Sequence, residues 1–207
     1  MMQAVSERLT LVLASSSPRR RQLLAEAGYR FEAVDPPIDE PSYVSETISP
    51  AGRAEALAYF KARSVADLMP HAVVLGADTI VAAAGPRGEV LGKPSGAADA
   101  ERMLRRLSGT RHRVITGVAL LAPSGRRTLA ADVTHVTMRP MTDDEVRRYI
   151  ASREWEGKAG AYAIQETADR FVVNVEGSFS NVIGLPMETV ARLLGEAGAC
   201  TQGREGI

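Results

Sequence analysis

The sequence predicts an α/β fold, in which a mixed, twisted sheet is flanked by helices and two lobes surround a central cleft. An apolar strand at 10–14 passes through a serine-rich turn into a helix, which is a typical opening of this class. Helical and strand-like segments then alternate along the chain. Strand-like segments at 114–122 and 127–138 are joined by a short turn that contains Pro-Ser-Gly. Such a hairpin pairs antiparallel strands, so the sheet is expected to be mixed rather than purely parallel.

Helix ends are indicated by capping residues. Ser17 followed by Pro18 predicts the start of the first helix, and Gly28 predicts its end. Ser49 and Pro50 predict the start of a second helix, in which apolar residues recur every three or four positions. Further helices are expected at three places: 97–107, 143–152 behind a capping box of Thr142 and Glu145, and 187–198.

The segment 71–84 contains two apolar runs that are interrupted by Ala77 and Asp78. The Gly-Pro-Arg-Gly sequence that follows predicts a turn. Because an acid interrupts the apolar pattern, we expect this segment to form an edge or a bend of the sheet.

Composition excludes several classes of protein. Lys and Arg number 25, as do Asp and Glu, so no global field draws the chain to nucleic acid or to an anionic membrane. Any anion site must therefore be local. The single cysteine, Cys200, excludes a disulfide framework and a cysteine-ligated zinc site.

The 207 residues are expected to form one domain over 1–207, with 1–8 and 201–207 flexible. The N-terminus does not resemble a signal peptide, and no apolar stretch approaches the length of a membrane span. We therefore expect a cytoplasmic protein without membrane or nucleic-acid partners.

Arg19, Arg20 and Arg21 fall in the first turn of the first predicted helix, where unpaired amide groups already carry partial positive charge. Each cation there costs about 0.3–1 kcal/mol, so the arrangement indicates a bound anion such as phosphate. Ser15 and Ser17 add hydroxyl donors at the same turn. The alternative is that the arginines are solvated and that Ser17 only caps the helix.

Other charged residues occupy positions that suggest chemistry. Lys61 lies in the apolar stripe of the second helix, where it could simply extend its amine to water. Asp78 needs a partner, a metal or a raised pKa, unless it is a turn residue at a strand end. Glu40 lies in a proline-rich loop, and by itself it is expected to face solvent. Lys93, between Gly and Pro, and Lys158, within Gly-Lys-Ala-Gly, lie in short loops that could direct an amine.

The three histidines, His71, His112 and His135, lack the short spacing of metal ligands, so they are expected to be structural or exposed. A metal that acts here is expected to be a hard ion such as Mg²⁺, carried by phosphates and held by carboxylates. We expect Tyr162 in the core, and Trp155 either in the core or in the wall of a base pocket.

Taken in order, these segments resemble the Maf family of nucleoside triphosphate pyrophosphatases. The resemblance covers nearly the whole chain. It rests on LASSSPRRRQLL near the start, IDE ending at Glu40, FKA around Lys61, VLGADTIV around Asp78, LGKP with Lys93, VITGVAL, KAGAYAIQ from Lys158 to Gln165, and EGSFSNVIGLP.

This resemblance implies an elongated, ITPase-like α/β fold with a cleft between two lobes. It implies hydrolysis of a nucleoside triphosphate between its α- and β-phosphates, which releases a monophosphate and pyrophosphate. It also implies a divalent cation, Mg²⁺ or Mn²⁺, as cofactor. Members of the family are often dimers, so a homodimer is one expectation.

The resemblance also implies roles for individual residues. Asp78, Lys61 and Lys93 are the expected catalytic residues. Asp78 would accept a proton from the attacking water or hold the metal, and these two roles stay open; Glu40 is the other expected metal ligand. The expected substrate-binding residues are Ser15, Ser17, Arg19, Arg20, Thr79, Lys158 and Gln165.

Arg19, Thr79 and Gln165 match the members of the family that act on dTTP and UTP. The Gln165 amide offers a donor and an acceptor, which suits the O4 and N3–H edge of uracil or thymine. The segment 153–157 departs from that type. The alternatives are a pyrophosphatase for 7-methyl-GTP or other modified nucleotides, and a septation regulator that senses nucleotides without turnover.

Overall fold

The computed structural model describes residues 10–38, 48–85, 88–164 and 167–198. The predicted flexible ends, 1–8 and 201–207, lie outside these ranges. The strands are β1 Leu11–Ala14, β2 Glu32–Val34, β3 Val73–Ala82, β4 Val90–Leu91, β5 Arg111–Leu121, β6 Arg127–Met138 and β7 Val172–Glu176. The helices are α1 Pro18–Glu26, α2 Pro50–Ala66, α3 Ala97–Leu107, α4 Asp143–Ser152, α5 Phe179–Ile183 and α6 Met187–Glu196.

The strands form a single mixed sheet in the order β2-β1-β3-β5-β6-β7, with β4 paired to the end of β3. β1 runs parallel to β2 and β3, whereas the remaining pairs are antiparallel. The α/β class, the mixed sheet and the β5–β6 hairpin are therefore confirmed. Strands β2, β4 and β7 and the short helix α5 were not predicted from the sequence.

The expectation that 71–84 lies at an edge or bend is wrong. β3 is a continuous strand of ten residues that pairs with β5 from Val74 to Ala82 and with β1 from Val73 to Gly76. The acid that interrupts the apolar pattern is accommodated inside the strand because a lysine from α2 pairs with it.

Helix α2 packs unusually close to the centre of the sheet because two glycines lie beneath it. A Cβ atom at Gly117 would overlap the backbone carbonyl of Ala54, and one at Gly76 would overlap the carbonyl oxygen of Ala58. Because neither glycine has a Cβ atom, the backbone of α2 can lie directly on β5 and β3. Apolar residues of α2, including Ala62 and Val65, complete the core on this face.

The opposite face of the sheet is covered by α1 and α6, where Leu24 and Leu193 pack on Leu75 and Val118. A further cluster beneath α3 and α4 contains Tyr162 and Trp155. The core position expected for Tyr162 is thus confirmed, and the Trp155 indole donates a hydrogen bond to the Ile150 carbonyl at 3.0 Å.

The predicted helix starts are largely confirmed. Thr142 and Glu145 form the capping box at α4, and the Ser49 hydroxyl accepts from the Gly52 amide at α2. Ser17 occupies the N-cap position of α1, but its side chain makes no capping hydrogen bond. In the described part of the chain, no helix is long and apolar enough to cross a membrane.

Candidate active site

A cleft of about 520 Å³ opens where β1 ends and β3 continues. β1 pairs with β3 only as far as Gly76, so Asp78 and Thr79 lie beyond the carboxyl end of β1. The turn 15–17 and the first turn of α1 form the adjacent wall. Open α/β sheets commonly bind ligands in this position, in the crevice beyond the carboxyl ends of parallel strands.

The structure brings nine of the residues predicted from sequence together in this cleft. They are Ser15, Ser17, Arg19, Arg20, Lys61, Asp78, Thr79, Lys93 and Lys158. Two further predicted residues, Glu40 and Gln165, lie outside the described ranges.

Lys61 and Asp78 form an ion pair at the floor of the cleft. Their side chains are 13% and 8% exposed, respectively. Lys61 therefore does not extend its amine to bulk water, and Asp78 is not a turn residue, so both of these alternative interpretations are wrong. The pair is held in place because α2 packs closely on β3 at Gly76, two residues before Asp78. Since removing one partner would leave a buried charge uncompensated, the two residues act as a unit.

The Arg20 guanidinium is fixed by contacts from three parts of the chain. Its Nε donates to the Gly184 carbonyl at 2.7 Å, its Nη1 to the Ser15 hydroxyl at 3.3 Å and its Nη2 to the Thr79 hydroxyl at 3.0 Å. Arg21 points elsewhere and pairs with Asp35 at 2.7 Å. The arginine cluster thus divides, with Arg20 held against the cleft wall and Arg21 on the outside.

The α1 N-terminus contributes positive potential to the same wall. The Ser17 amide donates to the Ser15 hydroxyl at 3.2 Å, which shapes the turn that enters the helix. Arg19 lies half-buried in the cleft lining, one residue after Pro18. Amide dipoles and guanidinium groups together favour an anion at this end of the cleft.

The segments that carry Lys93 and Lys158 are joined by a backbone hydrogen bond from the Gly160 amide to the Gly92 carbonyl, at 3.0 Å. Gly160 has a φ of 68°, and a Cβ there would lie 2.8 Å from a methyl group of Val81. The left-handed conformation and the close contact both favour glycine at this position.

The cleft lining also contains apolar and aromatic side chains, among them Val81, Val114, Tyr162 and Val182. The Tyr162 hydroxyl and His112 Nε2 form a buried hydrogen bond of 2.7 Å. Burial raises the pKa of Tyr162, whereas it lowers the pKa of His112 to about 4, so His112 is neutral near pH 7.

Metal ligands are sparse among the described residues, which contain no group of three or more His, Cys, Asp or Glu side chains that could hold an ion. The described cleft lining contains the carboxylates of Asp78 and Glu156, and Glu156 pairs with Arg153 at 2.6 Å. A single carboxylate and serine hydroxyls are hard oxygen donors, which suit Mg²⁺ when phosphates supply further ligands.

Several lining residues were not assigned to the site from sequence, among them Glu156 and Gly184. Gly184 follows α5, a five-residue helix that begins after Ser178. The Ser178 hydroxyl accepts from the Asn181 amide at 3.3 Å, so a Gly-Ser capping signal was present in the sequence. Nothing local indicated that this short helix would reach Arg20.

Comparison with known proteins gives consistent matches over nearly the whole chain. The family described as "Maf-like protein" matches residues 10–197. A dTTP/UTP pyrophosphatase from Geobacillus sp. (strain WCH70) is 47% identical over 182 residues, which cover 88% of this chain and 95% of the relative. One of the same name from Moorella thermoacetica (strain ATCC 39073 / JCM 9320) is also 47% identical, over 94% of this chain and 98% of the relative.

Among solved structures, a HAM1 protein from Coxiella burnetii superposes on 91% of this chain and 99% of its own, at 15% identity and a TM-score of 0.49. This likeness is too slight to bear on function.

Proposed function

The chain belongs to the Maf family, and on that premise we propose that it hydrolyses dTTP and UTP to the nucleoside monophosphate and pyrophosphate. One observation of the structure carries the proposal. The Lys61–Asp78 pair, Arg20 and two further lysines line a single cleft, although the chain as a whole has no net charge. A local concentration of cations beside a buried carboxylate suits a polyanionic substrate that undergoes hydrolysis.

The composition of the cleft lining suits both parts of a nucleotide. The triphosphate would lie against Arg19, Arg20 and the serine turn, with Lys93 and Lys158 as further cations. The base would lie against apolar lining residues, and Gln165 would pair with the O4 and N3–H edge of a pyrimidine. Support comes from the lining, which contains cations at the first turn of α1 and apolar side chains such as Val114.

In the proposed reaction, the oxygen of a water molecule forms a bond to the α-phosphorus. The bond from that phosphorus to the oxygen bridging the β-phosphate breaks, and pyrophosphate leaves with the electron pair. Asp78 accepts the proton of the water, while Lys61 holds the carboxylate in place. Arg20 and Lys93 stabilise the negative charge that develops on the leaving group.

A divalent cation fits the same carboxylate. Asp78 would hold Mg²⁺ or Mn²⁺ together with Glu40 and phosphate oxygens, and the bound ion would draw charge from the phosphates. Proton acceptor and metal ligand are thus two roles for Asp78 that experiment can separate.

The first experiment measures pyrophosphate release from dTTP and UTP in the presence of Mg²⁺. We expect Asp78→Asn to lower kcat on the order of 10²–10⁴-fold, the usual contribution of a general base. Asp67→Asn is the matched control, because Asp67 also pairs with a basic side chain, Arg63 at 2.6 Å, but on the surface. A near-normal rate for Asp78→Asn would refute its proposed role.

The metal dependence of the residual activity distinguishes the two roles. If Asp78 accepts the proton, Asp78→Asn lowers kcat without changing the Mg²⁺ concentration for half-activation. If Asp78 ligates the metal, that Mg²⁺ concentration rises instead.

The substrate class is tested with a panel of UTP, dTTP, pseudo-UTP, 5-methyl-UTP and 7-methyl-GTP. We expect the highest kcat/KM for the unmodified pyrimidine nucleotides. A preference for 7-methyl-GTP would refute the proposed substrate class, and binding without pyrophosphate release would refute the proposed activity.

A further inference from the structure

A chain of hydrogen bonds runs from Arg20 through the sheet to helix α5. The Arg20 Nη2 group bonds the Thr79 hydroxyl at 3.0 Å, and the hydroxyls of Thr79 and Thr116 lie 2.9 Å apart. The Thr116 hydroxyl donates to the Asn181 carbonyl at 3.0 Å. We propose that Thr116, which does not line the cleft, is a positioning residue that fixes Arg20 through Thr79. This inference rests on the proposed function, because it assumes that Arg20 binds the triphosphate.

The direction of each bond follows from the number of hydroxyl protons. The Asn181 backbone carbonyl can only accept, so the single hydroxyl proton of Thr116 is used there. Thr116 must therefore accept in its bond with Thr79, and the proton of that bond comes from Thr79. The Thr79 oxygen is then left with its lone pairs directed at the Arg20 guanidinium, which can only donate.

Thr116 is firmly held. It is fully buried and lies directly opposite Thr79 in the register of β5 and β3. Its acceptor is also fixed, because the Asn181 side-chain amide donates to the Val114 carbonyl at 3.1 Å and to the Thr134 hydroxyl at 2.9 Å. This series of hydrogen bonds therefore fixes the position of Arg20 relative to the sheet and to α5.

Removing the Thr116 hydroxyl leaves Thr79 without its acceptor on β5. The nearest alternative is the Gly184 carbonyl, which lies 3.5 Å from the Thr79 hydroxyl and already accepts from Arg20 Nε at 2.7 Å. The Thr79 hydroxyl would then rotate toward the Gly184 carbonyl and compete with Arg20 Nε for it. The guanidinium loses its fixed direction, and positioning errors of this kind cost transition-state stabilisation.

The test compares Thr116→Val, which removes the hydroxyl at nearly constant volume, with Thr116→Ser, which retains it. We expect Thr116→Val to lower kcat/KM for UTP by about tenfold to a hundredfold. Thr116→Ser should stay within about threefold of the parent, because the hydroxyl chain is kept.

Thr110→Val is the control. The Thr110 hydroxyl also donates to a backbone carbonyl, that of Leu107 at 2.8 Å, but Thr110 does not line the cleft and makes no hydrogen bond to Thr79, Thr116 or Asn181 among the described contacts. It should lower the Tm, while kcat/KM stays within about threefold of the parent. An equal loss of activity in both variants would mean that the effect is structural, and it would overturn the proposal.

A double-mutant cycle tests whether Thr116 acts through Thr79. In a Thr79→Val background, Thr116→Val should change kcat/KM by less than about twofold, because the link to Arg20 is already broken. A full additional loss in that background would overturn the proposal.

Binding of inorganic tripolyphosphate, measured by calorimetry, separates this inference from the proposed activity. It requires no turnover, and we expect Thr116→Val to bind about tenfold more weakly than the parent and Thr110→Val to bind like the parent. A parent that binds tripolyphosphate but releases no pyrophosphate from UTP or dTTP would refute the proposed function alone. Equal tripolyphosphate affinity in Thr116→Val and the parent would overturn the positioning role.

Discussion

His112 should make the free energy of unfolding of this protein depend on pH between about 4 and 6.5. Replacing this one histidine should remove that dependence. The ring is almost fully buried beneath the cleft wall, and its Nε2 bonds the Tyr162 hydroxyl. Among the described residues, its Nδ1 has no hydrogen-bond partner. Adding a proton to this ring would place a charge in an apolar environment, which is why burial lowers its pKa to about 4.

The sign of the effect follows from where the proton binds. In the unfolded chain the histidine pKa returns to about 6.5, so the unfolded state binds more protons between pH 6.5 and 4. The contribution to stability is therefore present above pH 6.5 and is lost as the pH falls toward 4. With these two pKa values, His112 lowers the free energy of unfolding by about 2 kcal/mol at pH 5 and by about 3 kcal/mol at pH 4.

Urea denaturation of the parent and of His112→Gln at pH 7 and pH 5 measures this effect. Gln can keep a hydrogen bond to Tyr162 but does not titrate, so the variant should lose about 2 kcal/mol less than the parent between the two pH values. Carboxylates titrate in both proteins, and their contribution cancels in the comparison. The exposed His71 supplies a control, His71→Gln, for the loss of one histidine. Parallel pH dependence in the parent and His112→Gln would refute the reasoning.

Two further predictions concern stability. Gly117→Ala should lower the free energy of unfolding by about 3 kcal/mol or more, because its Cβ would overlap the Ala54 backbone. Gly92→Ala is the control, because a Cβ added there meets open space. Urea denaturation of both variants measures the difference. A loss below that of Gly92→Ala would show that α2 does not pack so closely. Thr142→Ala removes one half of the α4 capping box and should cost about 1 kcal/mol in the same assay, and an unchanged midpoint would contradict the prediction.

Features encoded by neighbouring residues were predictable from the sequence. The Thr142–Glu145 capping box, the α3 helix and the β5–β6 hairpin each depend on signals within about a dozen residues. Strand β2 has only three residues, Glu32–Val34, and none of them is fully buried, so no periodic pattern marks it. Strand β7 is also largely exposed, so no apolar pattern marks it either.

The residues of the candidate site were predictable from the sequence, but the hydrogen bonds that link them were not. Arg20, Lys61 and Asp78 stand out because each places a charge where the local pattern is unfavourable or apolar. Thr116 carries no such signal, since a buried threonine is ordinary in a strand. Its link to Arg20 depends on the antiparallel register of β3 and β5 and on a carbonyl in α5, which lies 65 residues further along the chain.

The interpretation of β3 failed for a reason that also explains the site. An acid inside an apolar strand indicates an edge only if no cation reaches it, and the cation here comes from α2. That helix approaches closely because Gly76 and Gly117 offer no side chains to hold it away. A lysine that would otherwise extend along the helix surface is thereby brought over Asp78. The ion pair at the floor of the cleft thus depends on two glycines of the sheet as much as on the two charged residues themselves.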